Sequence, residues 1–112
     1  MPIHRVNKYL EDIVTSIDNI EASTAGLQAT SYGMYEVNWI VERGIEIIAE
    51  ALKRIINEEA GIQISNVQKI IATRNKITHE YDVVDNYQLY IIVTKYLPML
   101  KSEVELLLKR TE

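Results

Sequence analysis

Arg74-Asn-Lys-Ile-Thr-His79-Glu-Tyr81 gathers an arginine, a histidine and a tyrosine within eight residues. Arginine carries a permanent charge on a planar fork that matches phosphate oxygens, histidine titrates near neutral pH, and tyrosine adds a phenol. Together they suit phosphodiester or nucleotide chemistry. The chain has only two histidines, and the other, His4, falls in the first turn of the N-terminal segment. Residues 66–81 set Lys69, Arg74 and Lys76 against Glu80, a locally basic stretch in a protein of net charge −4. That overall acidity argues against coating nucleic acid by bulk electrostatics, but not against holding one phosphate.

Helices must position these residues, because nearly every segment has helical periodicity. Ile3, Val6, Leu10, Ile13, Ile17 and Ile20 step by three or four, which predicts a helix over about 3–23. A second helix is expected over about 32–58, with one stripe of Val37, Val41, Gly44, Ile48, Ala51 and Ile55 and another of Ile40, Ile47 and Ile56. Two stripes make it the central helix, and Gly44 is a candidate for close backbone approach. Residues 59–65 read as a loop. Ser65 with Gln68, and Asp85 with Gln88, fit capping boxes opening a third helix over about 66–81 and a fourth over about 86–110. The third buries Val67, Ile70, Ile71 and Ile77; the fourth uses Tyr87, Tyr90, Ile91, Leu97, Leu100, Val104 and Leu107. Pro98 removes a backbone bond and predicts a kink near 94–98. The expected fold is all-α, an antiparallel four-helix bundle with a kinked C-terminal helix, as a single domain over residues 1–112.

At about 100° per residue, Val67, Ile70, Ile71, Ile77 and Tyr81 all lie within about 60° of Arg74, and His79 lies about 140° away. Arg74 therefore falls in the middle of an apolar stripe, where an arginine needs a partner or a job. It could pair with a buried carboxylate such as Glu42 or Glu46. His79 could be a solvated residue at a helix end, and Tyr81 a core aromatic with its hydroxyl at the surface, as is read for Tyr9 and Tyr96.

The pattern Arg-x4-His-x-Tyr, met at Arg74, His79 and Tyr81, resembles the signature of the HEPN superfamily, and more narrowly of HepT-type toxins. By composition it should arise roughly 0.006 times in such a chain. Val41-Glu42-Arg43-Gly44-Ile45-Glu46-Ile47-Ile48-Ala49-Glu50-Ala51 resembles that group's central-helix block, and Arg74-Asn75 with His79-Glu80-Tyr81 and Val84-Asp85 its catalytic helix and following turn. Ala49 stands where glycine is usual and Tyr90 where tryptophan is frequent. The likeness spans all four helices. It implies a metal-independent endoribonuclease acting on tRNA or mRNA as a homodimer, its cleft shared between subunits. Arg74 and His79 would be catalytic, Asn75 and Lys76 would position substrate, and the product would carry a 2′,3′-cyclic phosphate. It also implies a type VII-like toxin–antitoxin pair, in which a cognate MntA-type nucleotidyltransferase antitoxin transfers AMP to Tyr81. The bulky anion would block RNA sterically and by repulsion.

No cofactor is expected, and the two histidines are too far apart in sequence for a metal site. Glycine-rich phosphate loops and serine or cysteine nucleophile motifs are missing from the sequence. With no cysteine, disulfides are excluded; the lack of an apolar leader or spanning run reads as a cytoplasmic protein without a membrane role. The alternative reading is a non-catalytic helical partner, or nucleotide-binding module, of a minimal nucleotidyltransferase. Neighbouring-gene identity would favour the nucleotidyltransferase-linked readings over a plain dimerising bundle.

Overall fold

The computed structural model describes residues 3–79 and 85–110, apart from the side chains of Ile3, His4 and His79. Its elements run α1 (Ile3–Thr24), a 3₁₀ turn (Ala29–Gly33), α2 (Tyr35–Glu58), α3 (Val67–His79), α4 (Asn86–Ile91), a π turn (Ile92–Tyr96) and α5 (Leu97–Leu108). With α4 and α5 counted as two halves of one broken helix, this is the expected all-α four-helix bundle. Neighbours run antiparallel. Arg5 near the start of α1 meets Glu58 at the end of α2 at 3.4 Å, and Lys69 and Lys76 of α3 share a groove with Tyr96 and Tyr87 in reverse order.

The α1 stripe closes as its spacing demands: Val6, Leu10, Ile13 and Ile17 are fully buried. They meet the first stripe of α2, where Val41, Ile45, Ile48, Leu52 and Ile55 are also fully buried. Gly44 is required at this crossing. A Cβ built there would fall 2.7 Å from Ile20 Cγ1, so the missing side chain sets how closely the two helices approach. Lys101 of α5 reaches Asp18 and Glu21 of α1 at 2.8 and 3.7 Å and ties the last helix to the first.

Several expectations are corrected. Helix α2 begins at Tyr35 rather than 32, because residues 29–33 form the 3₁₀ turn, whose Tyr32 is buried in the core. The Ser65–Gln68 box does not form. Ser65 instead donates from its backbone N and Oγ to Glu103 of α5, at 3.1 and 2.7 Å, and Asn66 takes a left-handed φ of 63° before α3 starts. A charged acceptor 38 residues away outcompetes the local neutral one. The Asp85–Gln88 box is present, with Gln88 N donating to Asp85 Oδ1 at 2.8 Å.

The second α2 stripe is only partly covered by the described residues, since Ile47 is 41% exposed and Ile40 and Ile56 are half-buried. Tyr87, placed in the core by periodicity, is 63% exposed, and Leu89 is buried in its place. The π turn accounts for the lost register. Leu97 N donates to Ile92 O, five residues back, so positions before and after it do not share one phase. The turn also accommodates Pro98, which stands in the first turn of α5 and has no N–H to offer.

Candidate functional site

Arg74 sits one turn before the end of α3, on the side facing α1 and α2. It is half-buried and lines an open groove of about 440 Å³ with Tyr9 and Asp12 of α1 and Arg43, Glu46 and Arg54 of α2. One guanidinium nitrogen, Nη1, donates to Asn75 Oδ1 at 3.2 Å. The buried Nε has no hydrogen-bond partner among the described residues. An orphaned donor of this kind costs about 1–3 kcal/mol unless something accepts from it.

The carboxylates nearby do not serve that role. Glu50 is engaged by Arg54 at 3.3 Å, Asp12 by Lys8 at 3.6 Å, and no Arg74 ion pair is formed among the described residues. Glu42 is informative as well. Burial, and then the adjacent Glu46 carboxylate, push its pKa up, opposed only by a hydrogen bond from Asn38. An arginine partner would have pulled it down. The structural ion pair with Glu42 or Glu46 is therefore not made, and Arg74 lines the groove without a carboxylate partner among the described residues.

The sequence motif is divided by the fold. Arg74 lines the first groove and is hydrogen-bonded to exposed Asn75, which does not itself line it, whereas Lys76 lines a different groove, beside Lys69 and Tyr87. His79 is the last residue of α3, and its side chain lies outside the described residues, as does Tyr81 entirely. Periodicity did not single out Arg43 or Arg54 as neighbours of Arg74. The available signal was the four-residue spacing of Tyr35, Trp39, Arg43 and Ile47, which marks one exposed face of α2. On that face Trp39 is 57% exposed, and a second open groove of about 380 Å³ lies beside it, lined by Ile20, Ile40, Arg43, Gly44 and Ile47. Arg43 and Ile47 border both this groove and the one holding Arg74.

The profile of the family described as ribonuclease HepT-like matches residues 13–107, from the middle of α1 into the last turn of α5. The chain belongs to the HepT-like ribonuclease family. It is 30% identical over 104 residues to "Putative RNase MJ1380" of Methanocaldococcus jannaschii, an alignment that covers 90% of this chain and 94% of that one. No solved structure matches. Membership in this HEPN-type family supports an RNA-cleaving activity and RNA as substrate. No described helix is long and apolar enough to cross a membrane.

Proposed function

We propose that this HepT-like protein is a metal-independent endoribonuclease whose cleavage site is completed by a second copy of the chain. The observation that carries the reading is the half-buried Arg74, which lines an open groove and pairs with no described carboxylate, its buried Nε having no partner among the described residues. A scissile phosphate is the acceptor such a fork matches, and charge developing on its oxygens would strengthen the contact. His79, five residues on, takes the role of general base toward a ribose 2′-hydroxyl and general acid toward the leaving oxygen. Attack by the 2′-oxygen on phosphorus expels the 5′-oxygen of the next nucleotide and leaves a 2′,3′-cyclic phosphate. Asn75, hydrogen-bonded to Arg74, fixes the fork's orientation.

The need for a second copy follows from the wheel, which sets positions 74 and 79 about 140° apart on an ideal helix. The apolar face of α2 supports this. Trp39 and Ile47 are exposed in the single chain and continuous with the Arg74 groove through Arg43. A homodimer packed on that face would bring a second motif toward the first. In the toxin–antitoxin reading, Tyr81 accepts AMP from a partner nucleotidyltransferase and the added phosphate silences the site by repulsion.

The test is cleavage of RNA by the purified protein in EDTA, with Arg74→Ala and His79→Ala alongside. Both substitutions are expected to abolish cleavage while leaving the helical content intact. Full activity in either variant overturns the site. Intact RNA with a folded wild-type dimer would leave the nucleotidyltransferase-partner reading instead. Mass spectrometry after co-expression with the nucleotidyltransferase is expected to find adenylyl groups on the Tyr81 peptide and not in Tyr81→Phe.

A further inference from the structure

The second groove of α3 lies on the side away from Arg74, bordered by residues of α3, α4 and the π turn. It holds about 410 Å³ and is lined by Lys69, Thr73, Lys76, Tyr87, Ile91 and Tyr96 among others, with no carboxylate in the lining among the described residues. Two features make it more than a gap between helices. The ammonium groups of Lys69 and Lys95 stand 4.9 and 5.4 Å from the centre of the Tyr96 ring, and neither these lysines nor Lys76 makes an ion pair among the described residues. Tyr87 is exposed but not loose. Its ring stacks on Tyr90 at 6.3 Å and 28°, and Tyr90 meets buried Tyr32 edge-on at 5.6 Å. The exposed ring is thus the outer member of a tyrosine ladder anchored in the core. Asp85, just before α4, is occupied in capping that helix.

We infer that this groove is the bed on which single-stranded RNA lies beside the cleavage motif, with a base stacked on Tyr87 and phosphates held by Lys69, Lys76 and Lys95. The inference rests on the ribonuclease reading and assigns the substrate's path. An aromatic face held in place and flanked by cations is what sequence-tolerant binding of unpaired bases requires. A duplex cannot use the platform, because its bases are already stacked on one another. The place fits too: Lys76 precedes His79 by three residues on α3, so the groove ends about one helical turn from the motif. Protein of net charge −4 gathers a polyanion only through such a local basic strip.

The experiment measures binding of a fluorescein-labelled, 2′-O-methyl single-stranded RNA, which lacks the nucleophile and survives the assay, to the full chain by anisotropy across a salt series. Tyr87→Ala is expected to weaken binding about fivefold or more, and Tyr87→Phe to keep it. Joint replacement of Lys69, Lys76 and Lys95 by Gln should flatten the slope of log affinity against log salt by roughly two units. Lys53→Gln with Lys109→Gln, equal in kind but elsewhere on the surface, should leave affinity unchanged. Circular dichroism confirms that each variant is folded. Wild-type affinity in the groove variants overturns the inference, as does equal weakening by Tyr87→Phe and Tyr87→Ala, or undiminished binding of a blunt duplex. Groove variants that bind RNA normally but no longer receive AMP from the nucleotidyltransferase would reassign the groove to that protein. Cleavage of unmodified RNA by the wild type is scored separately, so loss of the ribonuclease reading and loss of this groove are distinguishable.

Discussion

Helix α3 separates two unlike grooves. On one side Arg74 shares its surroundings with Asp12, Glu46 and Glu50, so cations and carboxylates nearly cancel. On the other, Lys69 and Lys76 face tyrosines and isoleucines, with no carboxylate in the lining among the described residues. The difference separates two tasks that one surface performs poorly. A mixed-charge groove exerts little attraction beyond a Debye length, yet can hold one fork in a defined orientation. A uniformly basic, aromatic groove attracts and retains a strand but has nothing that moves a proton. On the proposed reading, the first is where the bond breaks and the second is where RNA is held.

The largest effect is expected at Arg74. Arg74→Ala should lower single-turnover cleavage about 10²-fold or more, in line with removal of a donor to developing charge. Its affinity for a long single strand should fall far less, because the lysine groove remains. Equal losses of rate and affinity would break the division between the two faces. Arg74→Lys sharpens it: the charge stays, the planar fork goes, and cleavage should remain strongly impaired.

The reverse pattern is expected on the other face. Lys69→Gln with Lys95→Gln should raise the RNA concentration needed for half-maximal cleavage several-fold at 150 mM salt, and should do so less at high salt, where the attraction is already screened. A change confined to the maximal rate would place these lysines at the reacting phosphate instead.

A third variant weakens the scaffold that carries both faces. Gly44→Ala drives a methyl into Ile20 and should cost about 1–3 kcal/mol in urea denaturation. No loss would mean that α1 and α2 can part without penalty. The smallest effect is expected at Glu59. Hydrogen bonds from Arg110 at 2.7 and 2.8 Å hold its carboxyl below the ordinary range. A carboxylate lowered on folding adds stability above its unfolded pKa and loses it as pH falls through the folded value. Glu59→Gln should therefore cost roughly 0.2–1 kcal/mol near neutral pH, with the gap from wild type closing below about pH 4, as thermal melts across pH would report. Neither groove should notice.

Much of the bundle was legible in the chain. Val6, Leu10, Ile13 and Ile17 repeat on a helical period because one face of α1 is buried along its length, and α2 answers with Val41, Ile48 and Ile55. The Asp85–Gln88 box was legible for a similar reason, since its partners are three residues apart. Tyr87 was not. Its periodicity was read through a helix that the π turn breaks, and the phase on one side says nothing about the other. Ser65 was misread because its best acceptor, Glu103, is remote in sequence.

The chain alone determined that helices form, which stripes of α1 and α2 are apolar, and that an arginine, a histidine and a tyrosine fall within eight residues. These are local properties, set by backbone period and residue type. Only the tertiary structure decided that Arg74 has no carboxylate partner among the described residues, that Lys76 belongs to a different groove from Arg74, and that Tyr87 is held outward by Tyr90 and Tyr32. Each depends on which side chains distant elements bring to the same few ångströms, and helical periodicity carries no record of that.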